Sequence, residues 1–437
     1  MKKFIFMLTT IAMLATACES TEQLASPTDV KLILELNGEV FTKRMATVTL
    51  KDKSSNIEYQ SITDASGSAL FNVVPGLYEA TVSFKAVDDG NTFLYNGINN
   101  NITVAAAGAN TFVVSIKESI ASPIIIKELF FGGSPKKDNS GNYQNAGYVI
   151  LYNNSSKTVD ASDICFAFSG GNAHANNGGL KDLLVDGKMV FEDEGWLPAF
   201  HGVWAFNTTV MIPPYSQIVV SIYAAINHVE THPSSVDLSK SSYYAMYHKE
   251  SGYNNGSKYA VAESIPTSNY LSATKYGLGN AWVLSVTSPA FFIFNKADIH
   301  TYASNIDNRD LRGTFEAAKI PFEWVIDGVD ILTRGQENKF KRLTANVDAG
   351  SILFTNAQGY TVYRNVDKEA TEAIVGNLEK LVYGYEGGTK DIEVEEGTTD
   401  PSGIDAEASI KNGAKIIYKD TNNSTYDFHE RVTASLK

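Results

Sequence analysis

The sequence predicts an all-β protein built as two tandem β-sandwich domains, the second carrying long loop insertions and a few short helices. Three observations point there. Short runs alternate apolar and polar residues with period two, Gly, Asn, Asp and Pro turns separate them, and few stretches show a helical period. With 437 residues, 43% of them apolar and 19% charged, the chain is long enough for more than one packed core and too apolar to be disordered.

Residues 1–17 read as a secretory signal. Lys2 and Lys3 precede an apolar stretch from Phe4 to Leu14, and small residues lead to Cys18. That stretch is too short to span a bilayer. Residues 18–30, rich in Ser, Thr, Glu and Pro, suit a flexible tether. Lys31 to Leu36 opens the first domain, expected over 31–118, with further runs at Ala46 to Leu50, Ile57 to Ile62, Ala69 to Val74, Leu77 to Phe84 and Thr111 to Ile116. On the fourth of these runs, Tyr78, Ala80, Val82 and Phe84 share one face. Ser122-Pro123 marks a boundary, and the second domain is expected over 122–437. Ile124 to Phe131 reads as a buried strand, and Gly147 to Asn153 and Met211 to Val220 as later ones. Leu311 to Ala318 and Lys368 to Leu381 are the helix candidates.

Acidic residues outnumber basic ones by 49 to 36, for a net charge of −13, and loss of Lys2 and Lys3 with the signal deepens the deficit. Nucleic acid is therefore not an expected partner. Only Cys165 remains after Cys18, so no intramolecular disulfide is expected in the mature chain, and the Cys165 thiol reads as a small core residue on a strand.

No nucleophile-elbow, zincin, paired CxxC, phosphate-loop or dinucleotide signature occurs. No catalytic residue, metal or cofactor is assigned. His228 and His232, four apart, would share one face of a helix and could join Glu230, Asp237 or His248 around a metal, but Pro233 stops any such helix, and two loop histidines are the simpler reading. The acidic run from Asp391 to Glu396, continuing to Asp400, Asp405 and Glu407, lacks the oxygen spacing of a calcium loop and reads as a solvated, mobile excursion. Between Ser241 and Tyr259, Tyr243, Tyr244, Tyr247, Tyr253 and Tyr259 are interleaved with Ser, Asn and Gly. That is the composition of a recognition loop for an unknown ligand, or else of an insertion that covers a sandwich edge. Trp196, Trp204, Trp282 and Trp324 read as core or rim residues.

Several segments resemble known families. Ala15-Thr16-Ala17-Cys18 is similar to a bacterial lipobox, with the usual Leu displaced to Leu14. The resemblance implies lipidation of Cys18, and Glu19, in place of the retention Asp, implies the outer membrane; Glu19 and Glu22 hint at the cell surface. Thr63-Asp64-Ala65-Ser66-Gly67, followed by Pro75-Gly76-Leu77-Tyr78, resembles the carboxypeptidase-regulatory-like, prealbumin-type β-sandwich, a spacer or docking module in which glycines take angles that a Cβ would resist. Ile124 to Phe131, Tyr148 to Asn153 and Met211 to Val220 resemble the lamin-tail domain, an immunoglobulin-like sandwich, with Pro214-Tyr215 where that domain has a Pro-Gly turn.

Ser235 to Ser239, Ile320 to Asp330, Arg342 to Gly350, Tyr363-Arg364 and Asp420 to Phe428 together resemble an uncharacterised group of Bacteroidota outer-membrane lipoproteins. Members are often encoded beside TonB-dependent receptors, which implies a lipid-anchored binding or accessory protein of an uptake system and transfers no active site. A surface hydrolase with an unrecognised acid and base pair, and a structural or adhesive surface protein, are the alternatives.

Overall fold

The computed structural model describes residues 26–88, 91–170, 184–185, 188–312, 316–335, 341–392 and 397–437. The signal segment and Cys18 lie outside them. The chain is all-β with several sheets and a few short helices. No helix among the described residues is long and apolar enough to cross a membrane.

The N-terminal unit is one eight-stranded sheet folded over its own core: β1 (Thr28–Leu36), β2 (Glu39–Val40), β3 (Thr47–Asp52), β4 (Glu58–Ile62), β5 (Ser68–Val73), β6 (Gly76–Asp88), β7 (Asn91–Val104) and β8 (Asn110–Ile120). β1 pairs in parallel with β8, and the order runs on through β7, β6 and β3 to β4, while β5 flanks β1. β1 thus opens inside the expected tether, and β8 ends two residues beyond the expected boundary. Alternation sets which face is buried. Val30, Leu32 and Leu34 of β1, Val48 and Leu50 of β3 and Tyr78, Ala80 and Val82 of β6 point into one cluster, with Phe84 packed at its rim. Tyr78 closes that core by donating its hydroxyl to the carbonyl of Val74 at 2.8 Å.

The turn motif has a steric cause. Gly67 sits at φ +74°, and a Cβ there would lie 2.6 Å from the Phe41 carbonyl oxygen. Asp64 holds the same turn by accepting from the backbone N–H groups of Ser66 and Ser68. Gly76 keeps an ordinary negative φ, so only the first glycine of the motif is required by backbone angle.

The second unit is a twelve-stranded sheet. It runs from Ile352–Phe354 through Val325–Thr333, Ala290–Asn295, Ile164–Phe168, Gly202–Ala205, Tyr270–Lys275, Tyr244–Met246, Gln217–Ser221, Tyr148–Asn153, Ile124–Phe130 and Thr361–Arg364 to Phe428–Arg431. The sheet curls until its two ends meet. Arg334, just past Val325–Thr333, pairs with Glu430 at 3.0 Å, and Glu430 also accepts from the Thr355 N–H. Ile124–Phe130 and Tyr148–Asn153 are buried on both faces, which is why they read as continuous apolar runs. Inside lie Ile126, Val149 and Leu151; outside, Ile125 and Tyr152 are covered by Tyr363, Ile416 and Tyr418.

Two charged residues break the first of these runs, and each is closed off. Lys127, fully buried, has its ammonium 2.6 Å from Glu407 Oε1 and 2.6 Å from Gln217 Oε1, inside a cage of the Tyr152, Tyr363 and Tyr418 rings. Glu128 accepts from the Tyr148 hydroxyl and the Ser435 N–H.

Two helix expectations are corrected. Ala317–Pro321 is a strand paired with Trp196–Phe200, because Ala317, Ala318 and Ile320 are needed in the core; residues 313–315 lie outside the described segments. The stretch after Lys368 forms only a short helix, Lys368–Glu372, N-capped by Asp367, and a 3₁₀ turn at Leu378–Lys380. Gly376 at φ +73° separates the two. At the Pro214-Tyr215 turn, Tyr215 itself adopts φ +51°, taking the place a glycine would fill.

Candidate functional site: a cleft between the two units

Segments far apart in sequence converge where the second unit faces the first. Asp330 accepts from Arg342 Nη2 at 2.7 Å and from the Leu343 N–H at 2.8 Å, and Asp348 accepts from the N–H groups of Asp330, Gly350 and Ser424. Arg342, Asp330 and Asp348 are all fully buried. Burial pushes the Asp330 carboxyl up, but Arg342 and Lys341 outweigh it and hold it low; at Asp348 burial wins and the carboxyl is raised. Gly350 is sterically required, since a Cβ there would lie 2.0 Å from Asn423 Oδ1.

Beside this cluster, Arg364 lies among three carboxylates. Its guanidinium contacts Asp327, approaches Asp420 Oδ1 at 3.4 Å and Asp427 Oδ2 at 3.7 Å, and donates to the carbonyls of Ile126 and Lys419. Three carboxylates around one cation leave an excess of buried negative charge. Burial accordingly raises Asp327 and Asp420 despite the arginine. Asp427 in turn accepts from the N–H groups of Thr421 and Asn423. The segments around Asp327, Arg342, Arg364 and Asp420 therefore form one ionic lattice that fixes the loops 341–351 and 420–427.

These fixed loops meet the outward face of β6 and the end of β8. Lys85 pairs with Asp367 at 2.7 Å, Ser83 donates to the Thr421 carbonyl at 3.1 Å, and Asn422 donates to Ser119 Oγ at 2.9 Å. Between the units remains a cleft of about 500 Å³, within the size of small-molecule sites. Its floor is Thr49, Lys51, Glu58, Glu79, Thr81, Ile98 and Asn100 of the N-terminal sheet, and its roof includes Thr344, Gly350, Asn423 and Tyr426. The Tyr426 hydroxyl lies 3.4 Å from Thr81 Oγ1 across the gap. Burial raises both the Glu79 carboxyl and the Tyr426 hydroxyl. Sequence reading missed this floor. Thr49 and Lys51 on β3 and Glu79 and Thr81 on β6 are the polar phase of the alternation there, which looks the same whether it faces bulk water or a second domain.

The tyrosine-rich stretch is a correction. Tyr253 and Tyr259 lie in the main core, Tyr243 in a smaller one, and only Tyr244 and Tyr247 are half-buried. Tyr253 stacks on Trp204 with centroids 5.4 Å apart and donates to the His201 carbonyl, while the Tyr259 hydroxyl accepts from the Trp282 N–H. Tyr244 lies on a strand of the sheet. The Tyr253 and Tyr259 hydroxyls are thus spent on internal hydrogen bonds.

The histidine pair does not gather ligands. His228 is fully buried; its Nε2 donates to the Ala224 carbonyl at 2.7 Å and its Nδ1 accepts from the Tyr143 hydroxyl at 2.7 Å, leaving no lone pair for a metal. His232 stacks on Tyr143. Among the described residues no group of three or more His, Cys, Asp or Glu is placed to hold a metal ion.

The acidic excursion is also corrected in part. Asp400 accepts from the Val366 N–H, Asp405 caps the helix Ala406–Lys411, and Glu407 pairs with Lys127; residues 393–396 lie outside the described segments. Cys165 is fully buried, and burial pushes its thiol far up. His300 contacts the hydroxyls of Ser272 at 2.7 Å and Thr274 at 2.8 Å, but no carboxylate among the described residues hydrogen-bonds its ring.

One histidine makes a pH dependence measurable. His429 is buried, donates from Nδ1 to Asn365 Oδ1 and accepts at Nε2 from the Tyr385 hydroxyl. Burial, aided by Arg431, pushes its imidazole down to about 3, against about 6.5 when unfolded. Between those values only the unfolded chain takes up the proton, so this group's contribution is fully present above about pH 6.5 and is lost as pH falls toward 3. The raised carboxylates Asp327, Asp348, Asp400 and Asp420 act with the opposite sign, and a variant comparison cancels them. Across that window His429→Gln is expected to lose less stability per pH unit than wild type in urea melts; parallel slopes would contradict the assignment.

Residues 213–376 match the model of a family described as a protein of unknown function, DUF4876. The crystal structure of a DUF4876 family protein from Bacteroides thetaiotaomicron superposes with a TM-score of 0.51 at 21% identity, covering 93% of this chain and 96% of that one. The chain thus shares its fold with a member of that family. Two structures of the major pilin subunit of Bacillus cereus match at 11% and 12% identity over 76% of this chain and 99% of theirs, but with TM-scores of 0.16 and 0.15 they carry no argument. No curated protein matches.

Proposed function

We propose that this chain is a binding or accessory protein of a TonB-dependent uptake system, lipid-anchored through Cys18 to the outer membrane and facing the cell surface, and that it holds its ligand in the cleft between its two β units. The carrying observation is the cleft itself: about 500 Å³ of space with a sheet face as floor and a roof pinned by buried ion pairs. Sites of this kind lie preferentially between domains. The lipobox-like Ala15 to Cys18 supports the anchor, and the resemblance to Bacteroidota lipoproteins supports the receptor partner. The N-terminal sandwich then serves as a spacer that also forms half of the site. This reading assigns the chain binding rather than turnover.

Two measurements test this reading. Cys18→Ser removes the thiol that would carry the acyl chains and should release the protein from the membrane fraction; retention at the wild-type level would refute the anchor. Capture from native membranes should recover a receptor barrel with wild type and recover its small-molecule cargo only when the cleft is open. A Thr81→Trp variant that fills the floor yet retains all cargo would place binding elsewhere.

A further inference from the structure

The floor of the cleft carries a pattern that narrows the ligand. Lys51 of β3 is the cross-strand partner of both Glu58 on β4 and Glu79 on β6, so a carboxylate, an ammonium and a carboxylate stand in one row across three strands. Neighbouring strands lie about 4.8 Å apart. All three side chains line the cleft. Opposite charges facing one another across a sheet ordinarily pair. Here neither Glu58 nor Glu79 comes within ion-pair distance of Lys51, and no described residue hydrogen-bonds the Glu79 carboxylate; burial raises it although Lys53 and Lys51 attract it from farther off. The next row along the strands is Thr49, Thr81 and Ile98, two hydroxyls and an apolar patch, with Tyr426 across the gap.

The charge balance excludes one class of ligand. On the roof, Lys341 is engaged with the Leu343 carbonyl and faces Asp330 and Asp348, and Arg342 is paired to Asp330. Among the described residues, the charges left to meet a ligand are then Lys51, with Lys53 at the edge on the Asn100 carbonyl, against Glu58, Glu79 and Glu192, a net negative balance that disfavours anions. A cation would be drawn to either carboxylate but finds nothing to give the Lys51 ammonium between them, which repels it. A group that serves all three positions donates to a carboxylate and accepts from an ammonium within one strand spacing, and the hydroxyl does both.

Resting on the reading of the cleft as the binding site, we infer that its ligand is a neutral, hydroxyl-rich molecule of the saccharide class. Ring hydroxyls bridge the Glu58, Lys51 and Glu79 row, and C–H faces rest on Ile98 and Tyr426.

The test titrates the purified mature chain with maltohexaose, xylohexaose and chitohexaose as neutral probes, oligogalacturonate as an anionic probe and oligolysine as a cationic one. At least one neutral probe is expected to bind. Glu79→Gln, which removes a charged acceptor, should weaken it by about tenfold or more, and Thr81→Trp should abolish it, with unfolding midpoints unchanged in both. If only a charged probe binds, and Thr81→Trp blocks it, the saccharide inference falls while the cleft stands. Neutral binding that survives Thr81→Trp overturns both. Failure of every neutral probe overturns the inference.

Discussion

Arg364→Leu is expected to destabilise the protein by about 3–5 kcal/mol, the cost of leaving buried charge without its partner. The guanidinium is fully buried and is the cation shared by Asp327, Asp420 and Asp427, and it also satisfies the carbonyls of Ile126 and Lys419. Its removal strands three acids and two carbonyls at once. The double variant Arg364→Met with Asp327→Leu should recover part of the loss, because it removes charge from both sides. An unfolding free energy for Arg364→Leu, from urea melts, within about 0.5 kcal/mol of wild type, the size of an ordinary surface substitution, would show that the lattice does not hold the roof.

Tyr253→Ser is expected to cost about 3–5 kcal/mol, the range for truncating a buried aromatic ring. Tyr253 is 1% exposed, stacks on Trp204 and donates to the His201 carbonyl. Tyr253→Phe keeps the packing and loses one hydrogen bond, worth about 1 kcal/mol. Tyr247→Ser, at a half-buried position, should cost less than Tyr253→Ser. Equal stability for Tyr253→Ser and wild type would return this segment to the role of a free recognition loop. The two experiments bear on function together, since the roof and the tyrosine core are the competing places for a contact surface.

The N-terminal unit was legible because period-two alternation leaves a direct trace in sequence: Val30, Leu32 and Leu34 are buried and the residues between them are not. The doubly buried Ile124–Phe130 was legible as a strand, yet nothing local explains Lys127 and Glu128 within it. Their partners, Glu407, Gln217 and Ser435, are far along the chain. The same distance hid the ionic lattice. Asp327, Arg342, Asp348, Arg364 and Asp427 lie in segments far apart along the chain, and residue spacing says nothing about which acid meets which arginine.

Composition misled where it was used alone. Tyr with Ser, Asn and Gly describes a recognition loop and a hydrogen-bonded core insertion equally well, and burial decides between them. At Ala317 and Ala318 a helix-favouring pair yields to strand pairing with Trp196–Phe200, where small side chains fit the core.

Hydrogen exchange on the full chain, alone and with cargo captured from native membranes, tests the central claim most directly. Cargo held in the cleft is expected to slow exchange at the backbone of 49–51, 79–81 and 423–426, on both walls at once. Protection confined to 243–259, or spread over the outer strands with those three segments unchanged, would contradict the cleft as the binding site.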